Sequence, residues 1–145
     1  MINVSVEIDP TLKGPDPKQS KKILVSFLEA ESVVDSKINV NFGDDKLLNS
    51  LKIEFFNYDH LTDVIAFRIN DYSKDEVEGE IYISIVRAIE NAEKYGEPLS
   101  KELARLIIHG GLHLLNHRDE TEDEKNKMTD LDDKYLQQVE WNNLI

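Results

Sequence analysis

The segment Leu106–Glu124, LIIHGGLHLLNHRDETEDE, contains three of the four histidines of the chain. His109 and His113 are one helical turn apart, so their side chains lie on the same side of a helix. Two imidazoles with this spacing can bind a single metal ion. Because position 110 is glycine, the motif lacks the internal glutamate that metalloproteases use as a general base. The motif is short, and the alternative is a pair of core histidines that hydrogen-bond to neighbouring residues.

The third ligand is the residue that decides between these interpretations. If the helix continued, His117 would lie about 12 Å further along the axis than His109 and could not share its metal ion. Asn116, however, is one of the few residue types that accept the left-handed conformation in which helices end. After a reversal at Asn116, His117 and Asp119 could each reach the ion, and the residues alone leave both candidates open.

The helix that carries these histidines is predicted from about Ser100 to Leu115, with Pro98 at its start. Its second half is apolar on nearly all sides, which is typical of a helix in the centre of a domain. Gly110 and Gly111 weaken a helix by roughly 1 kcal/mol each relative to alanine. We therefore expect that the absence of side chains at these two glycines allows either close helix packing or the approach of a substrate.

The rest of the chain alternates between strand and helix patterns, which predicts an α+β fold of mixed α/β layers. One small, mostly four-stranded sheet packs with about five helices, and the histidine helix is central. At 145 residues, one domain spanning 1–145 is expected. Alternating apolar residues predict the four strands at Ile2–Ile8, Lys37–Phe42, Asp63–Ile69 and Gly79–Ser84.

Three other helices are predicted with a specific buried face. The helix after Asp44 and Asp45 is expected to bury Leu47, Leu51 and Phe55, and the helix that ends at Gly96 to bury Ile85, Ile89 and Ala92. Thr121 and Glu124 have the spacing of a capping box, which begins a helix with Met128, Leu131, Tyr135 and Val139 inward. A helix is also predicted from Lys18 to Glu31. The acidic run TDLDD lacks the glycine and glutamate of a calcium loop and is interpreted as a solvated helix face.

Composition limits the classes of partner. Seventeen basic and twenty-nine acidic residues give a net charge of −12, which opposes a broad electrostatic interaction with DNA or RNA. The chain has no cysteine, which excludes disulfides and thiolate metal sites. No apolar run is long enough to span a membrane, and the N-terminus does not have the pattern of a secretion signal. A cytoplasmic location is therefore expected.

Several motifs, taken in order, resemble those of the YbeY family of bacterial endoribonucleases and rRNA maturation factors. The segment from His109 to Leu115, HGGLHLL, is similar to the start of the family pattern H-G-x-L-H-L-x-G-Y-D-H. The segment TDVIAF at Thr62–Phe67 resembles the family's T-D-V-L-S-F, and GEIYIS at Gly79–Ser84 resembles its G-D-I-x-I-S. AEKYG precedes the histidine helix as the family pattern requires. The resemblance covers the chain from about Val40 to Met128.

The resemblance implies a single-strand-specific, metal-dependent endoribonuclease that acts in rRNA maturation, including late 16S rRNA 3′-end processing. Its partners would be rRNA and components of the small ribosomal subunit, with no membrane and no DNA. In the family, three histidines bind zinc. The position of the third is Asp119 here, so the implied metal ligands are His109, His113 and Asp119. Two histidines and a carboxylate also resemble a non-haem iron site, so another divalent metal remains an alternative.

The chain departs from the family pattern at a second position. Phe56 occupies the place of a family arginine, and His60, Arg68 and Arg118 are the candidates to replace that arginine at the RNA phosphate. His117 and His60 are the candidates for a catalytic proton acceptor.

The alternative functions are a non-catalytic ribosome-assembly factor with a structural metal and a metal-dependent hydrolase of small substrates. The acidic charge and the absent arginine favour the assembly factor, whereas an open metal position would favour the enzyme.

Overall fold

The computed structural model describes residues 1–57 and 62–145. Four strands and five helices lie within these ranges, in the order β1 (Ile2–Ile8), α1 (Pro17–Ala30), β2 (Ser36–Gly43), α2 (Asp45–Phe56), β3 (Val64–Arg68), β4 (Val77–Ser84), α3 (Ile85–Tyr95), α4 (Leu99–Leu114) and α5 (Glu122–Leu136). The predicted α+β fold with one four-stranded sheet is confirmed. Each predicted strand is present, with ends that differ by at most two residues.

The sheet is mixed, with the strand order β1-β2-β4-β3. β1, β2 and β4 run parallel, and β3 pairs antiparallel with β4 at the edge. Side chains alternate between the two faces of a strand, and the apolar set of β2 and β4 lies on the face that α1 and α4 cover. This set is Ile38, Val40, Phe42, Val77, Ile81 and Ile83, and each of its members is buried.

Helix α4 passes through the centre of the molecule, as the sequence predicts. Its side chains contact α1, α3, α5 and the strands β3 and β4. Leu106, Ile107 and Leu114 are fully buried, which confirms the prediction that this helix is the most buried one. Among the described residues, no helix has the length and apolar character that a membrane crossing requires.

The two glycines of α4 allow its close approach to neighbouring elements. A Cβ atom on Gly110 would lie 2.6 Å from Cγ2 of Ile81 on β4, and one on Gly111 would lie 2.7 Å from Cε2 of Phe27 on α1. Both distances are shorter than a carbon–carbon contact allows. The bare backbone at these positions therefore serves helix packing, which was one of the two reasons expected.

The predicted helix faces are partly wrong. Ile85, Ala92, Met128 and Tyr135 are buried as predicted. Leu47, Phe55 and Ile89 were expected to point inward, but they are 39%, 59% and 41% exposed. In α2 the buried side chain is Leu48, one residue beyond Leu47, and in α3 Ala88 is buried in place of Ile89. Helix α2 packs against β4 and buries only Leu48, and α3 packs mainly against α4, so the large apolar residues on their other sides remain in solvent. Val139 also lies beyond the end of α5.

We expect Gly111→Ala to destabilise the protein despite the better helix propensity of alanine. The ring of Phe27 is buried and packs edge-on against Tyr135 with a centroid distance of 5.0 Å, so it cannot move away without further rearrangement. Overpacking of this kind costs about 1–3 kcal/mol, more than the roughly 1 kcal/mol that helix propensity contributes. Urea unfolding measures the free energy of unfolding. The control is Asn126→Ala on the exposed side of α5, and an equal gain in stability from both variants would contradict the packing explanation.

Candidate metal centre

His109 and His113 project from the last two turns of α4 and face each other through their Nε2 atoms. The two Nε2 atoms are 3.2 Å apart, and the ring centroids are 4.8 Å apart with nearly perpendicular planes. Both side chains are largely buried, with exposed fractions of 15% and 29%. The one-turn spacing seen in the sequence therefore does bring the two imidazoles together.

The end of α4 is a tight reversal that brings Asp119 to the histidine pair. Asn116 is left-handed with a φ of 71°, as predicted. The Asn116 amide donates to the carbonyl of His113, and the His117 amide donates to that of Leu112, each at 3.0 Å. These two bonds form a Schellman motif, which satisfies carbonyl groups at the helix end. Beyond the turn, Oδ2 of Asp119 lies 3.5 Å from Nε2 of His109 and 3.4 Å from Nε2 of His113.

The three atoms form a triangle with the dimensions of a metal site. Zinc–ligand bonds of about 2.0–2.1 Å in tetrahedral geometry place ligand atoms about 3.3–3.4 Å apart. The observed edges of 3.2, 3.4 and 3.5 Å agree with this spacing. The separation of their donor atoms is short enough for His109, His113 and Asp119 to bind one metal ion. The residues therefore fit a divalent ion.

The other nitrogen of each imidazole is hydrogen-bonded in a way that fixes the orientation of the ring. Nδ1 of His109 lies 3.0 Å from Oδ2 of Asp132, and Nδ1 of His113 lies 3.1 Å from the carbonyl oxygen of His117. Both partners are acceptors, so Nδ1 carries the proton and donates it in each neutral ring. The Nε2 lone pairs are then directed at the centre of the triangle. Such outer hydrogen bonds are a regular feature of histidine metal sites.

Asp132 is a residue beside the histidine pair that the sequence analysis did not identify. It belongs to the acidic run TDLDD, which was assigned to a solvated helix face. Asp130 and Asp133 are indeed exposed, but Asp132 is only 4% exposed. Its spacing from Met128 and Tyr135 places it on the buried side of α5. This spacing was visible in the sequence and was the signal that could have identified Asp132.

A partly buried arginine offsets part of the negative charge of the carboxylates behind the histidine pair. Arg105 donates two hydrogen bonds to Glu102, at 2.6 and 2.9 Å. Its guanidinium also lies 3.6 Å from Asp63 and 3.8 Å from Asp132. Burial opposes the charge of Arg105, but these three carboxylates outweigh burial and raise its pKa. Asn91 donates to both Asp63 and Glu102, so the group connects α3, α4, α5 and the start of β3.

The two histidines differ in their affinity for protons. Burial lowers the pKa of His109, but the hydrogen bond and the charge of Asp132 outweigh burial, and the net pKa is raised. Burial lowers the pKa of His113, and the neighbouring His109 lowers it further. His109 is therefore the first of the pair to take up a proton when the pH falls.

The triangle opens into a cleft with a volume of about 610 Å³. This volume is in the usual range for ligand sites, about 300–1,000 Å³. His117 and Arg118 also line the cleft. The imidazole of His117 is not part of the triangle, because its Nε2 lies 3.3 Å from Oε1 of Glu31 at the end of α1. Of the two residues that the sequence left open, the fold brings Asp119 to the histidines.

The residues that could replace the family arginine differ in their positions. Arg68 has a structural role. Its guanidinium donates hydrogen bonds to the side chain of Asn70 and to four backbone carbonyl groups, those of Leu114, Asp71, Lys74 and Glu76. Most of its donors are therefore used within the protein, which disfavours a role in phosphate binding. Arg118 is exposed at the cleft. His60 lies outside the described residues.

Two histidines one helical turn apart, a carboxylate beyond the helix end and an open cleft are typical of metal-dependent hydrolases. Comparisons with known proteins identify the family. The family model for endoribonuclease YbeY matches residues 13–140. The chain therefore belongs to the endoribonuclease YbeY family.

Individual relatives agree with this assignment. An endoribonuclease YbeY from Flavobacterium psychrophilum is 36% identical over 137 residues, which cover 94% of each chain. Its counterpart from Chloroherpeton thalassium is 33% identical over 134 residues, which cover 92% of this chain and 94% of the relative. The solution structure of TM1509 from Thermotoga maritima has a TM-score of 0.66 at 25% identity and covers 94% of this chain and 89% of its own.

We expect Asp132→Asn to weaken the binding of a divalent ion by about 10- to 100-fold, because the neutral amide orients and polarises His109 less strongly. Asparagine retains the size of the side chain, so the fold should persist. Competition with a chromophoric chelator measures the affinity for zinc. Asp130→Asn, on the exposed side of the same helix, is the matched control. Equal affinities for the two variants would show that Asp132 does not support the site.

Proposed function

We propose that this chain is a metal-dependent endoribonuclease that cleaves single-stranded RNA in rRNA maturation, including late 16S rRNA 3′-end processing. Residues 1–145 form one catalytic domain in this proposal. Membership of the endoribonuclease YbeY family supports the reaction class. Its partners are rRNA and components of the small ribosomal subunit, and its location is the cytoplasm.

The observation that carries the proposal is the open side of the ligand triangle. Structural zinc sites have four protein ligands and are closed, whereas catalytic sites have three protein ligands and one open position. Within residues 1–57 and 62–145, His109, His113 and Asp119 supply three ligand atoms, and the side chain of Asp119 is 42% exposed at the cleft. A phosphodiester in the cleft can therefore reach the fourth position.

We propose zinc as the ion, held by Nε2 of His109, Nε2 of His113 and a carboxylate oxygen of Asp119. When bound, a divalent ion supplies Lewis-acid stabilisation of the charge on the phosphodiester and lowers the pKa of coordinated water. Asp119 offsets one unit of charge, and the two neutral imidazoles offset none. The protein ligands thus leave a net positive charge where the phosphate lies. Iron is the alternative that the same ligand set allows.

The residue that accepts a proton during cleavage stays a prediction. His117 lines the cleft two residues before Asp119, and Glu31 contacts its Nε2 atom. A carboxylate in this position orients the imidazole, which suits a general base. His60 is the second candidate.

A ribosome-assembly factor with a structural metal is the alternative function. The net charge of −12 and the phenylalanine at position 56 favour it, because both reduce the attraction for RNA phosphates. The two functions predict different metal chemistry. An assembly factor would retain its function when the fourth position is blocked, whereas the endoribonuclease would lose it.

The direct test is cleavage of single-stranded RNA by the zinc-loaded protein, with and without a chelator. We expect cleavage that the chelator abolishes and that added zinc restores.

Asp119→Ala should lose most of its metal affinity and activity, because two imidazoles alone bind an ion weakly. Asp119→His should largely retain the metal, since histidine is also a zinc ligand. His117→Ala should retain the metal, and loss of zinc from His117→Ala but not from Asp119→Ala would overturn the ligand assignment.

Metal affinity should fall when the pH is lowered, because protons compete with the ion for the Nε2 lone pairs. The raised pKa of His109 makes this loss begin at a higher pH than for an ordinary histidine, whose pKa is about 6.5. His113, with its lowered pKa, contributes only at lower pH. Zinc titrations across this range, with the chelator corrected for its own protonation, measure the effect. Affinity that is constant across the pKa of histidine would exclude the imidazoles as ligands.

A further inference from the structure

Two half-exposed aromatic side chains line the same cleft as the ligand triangle. Phe56 at the end of α2 is 49% exposed, and Tyr72 in the β3–β4 loop is 50% exposed. Large apolar side chains are costly to leave in water, and aromatic rings beside a reaction site commonly bind a ligand. The metal centre does not use either ring.

Phe56 rests on a supporting layer of aromatic residues. Its ring lies nearly parallel to that of Phe67 on β3, with an interplanar angle of 21° and a centroid distance of 5.7 Å. Phe67 in turn contacts Phe55 and Tyr82 edge-on. This layer ties Phe56 to the sheet.

Tyr72 is supported by Arg68. The guanidinium of Arg68 lies 5.1 Å from the centre of the Tyr72 ring, which is cation–π geometry. The same guanidinium donates to the carbonyl of Leu114 at 2.8 Å, and Leu114 follows His113 in α4. Arg68 therefore fixes the β3–β4 loop, and with it Tyr72, relative to the histidine helix.

Basic groups accompany the aromatic residues. The described lining of the cleft contains one lysine, Lys52, and one arginine, Arg118. The ammonium of Lys52 lies 4.7 Å from the centre of the Phe56 ring. Lysine is long and flexible, so this ammonium can move from the ring to a phosphate oxygen when a base takes its place.

We propose that Phe56 and Tyr72 stack on unpaired bases of the RNA that flank the cleaved phosphodiester, while Lys52 and Arg118 contact its phosphates. The inference rests on the proposed function and adds to it the residues that bind the strand. Base–aromatic stacking requires no charge on the protein, so it supplies affinity to a chain whose net charge of −12 repels phosphates. Phe56 occupies the place of the family arginine, so at this position contact with a base would replace contact with a phosphate.

The experiment is single-turnover cleavage of oligoadenylate by the zinc-loaded protein, measured at increasing protein concentration. We expect Phe56→Ala and Tyr72→Ala each to raise the half-saturating protein concentration by roughly 5- to 150-fold, the range for the loss of one stacked base. Phe56→Tyr should restore binding, because tyrosine keeps the ring. The maximum rate should change much less, since neither ring contacts the metal ligands.

Tyr95→Ala is the matched control, because Tyr95 is also exposed and also lies beside a lysine but does not line the cleft. We expect it to bind as the wild type does. An oligomer of abasic nucleotides should be a weaker competitor than oligoadenylate for the wild type, and Phe56→Ala should distinguish the two competitors less. Urea unfolding of each variant separates a binding defect from a loss of the fold.

Lysine variants separate stacking from charge. Lys52→Ala should reduce the slope of log affinity against log salt by about 0.7, the value for one contact to a single strand. Lys94→Ala is its control, since Lys94 lies over an aromatic ring outside the cleft. Phe56→Ala should leave the slope unchanged.

The outcomes distinguish this inference from the proposed function. Cleavage by the wild type together with unchanged half-saturation in Phe56→Ala and Tyr72→Ala would overturn the stacking inference and leave the endoribonuclease intact. Equal losses in Tyr95→Ala and Phe56→Ala would also overturn it, because Tyr95 lies outside the cleft. Absence of chelator-sensitive cleavage by the wild type would overturn the proposed function and this inference with it.

Discussion

Three electron-rich atoms held 3.2–3.5 Å apart determine how the rest of the site is built. Nε2 of His109, Nε2 of His113 and Oδ2 of Asp119 are all acceptors when the rings are neutral, and acceptors at this distance repel one another. A cation between them converts repulsion into binding. Asp132 and the carbonyl of His117 hold the rings against this repulsion by fixing the proton of each imidazole on Nδ1.

Close packing in the protein interior places this centre at the edge of a cleft. Gly110 and Gly111 let α4 approach β4 and α1 to distances that any side chain would prevent, so the helix lies within the core and its C-terminal end reaches the surface. The Schellman turn at Asn116 then reverses the chain within a few residues. Burial of the helix and exposure of Asp119 therefore follow from the same arrangement, in which a buried helix ends at the cleft.

Sequence patterns predicted the sheet, the buried helix and the helix-ending turn at Asn116, because period and turn chemistry are local properties. Leu47, Phe55 and Ile89 were wrongly predicted to be buried, since tertiary packing selects which apolar residue is buried, as Leu48 beside Leu47 illustrates. The histidine pair followed from spacing, but the choice of Asp119 required the family resemblance. Asp132 was missed because its partner, His109, is distant in sequence.

We propose that one divalent ion binds to His109, His113 and Asp119 and keeps a fourth position open to the cleft. The most direct measurement is a crystal structure of the zinc-loaded protein with anomalous scattering recorded at the zinc absorption edge. We expect a single strong peak about 2.0–2.2 Å from both Nε2 atoms and a carboxylate oxygen of Asp119, with a non-protein ligand on the cleft side. A peak bound by His117 instead of Asp119, or an ion enclosed by four protein ligands, would contradict the claim.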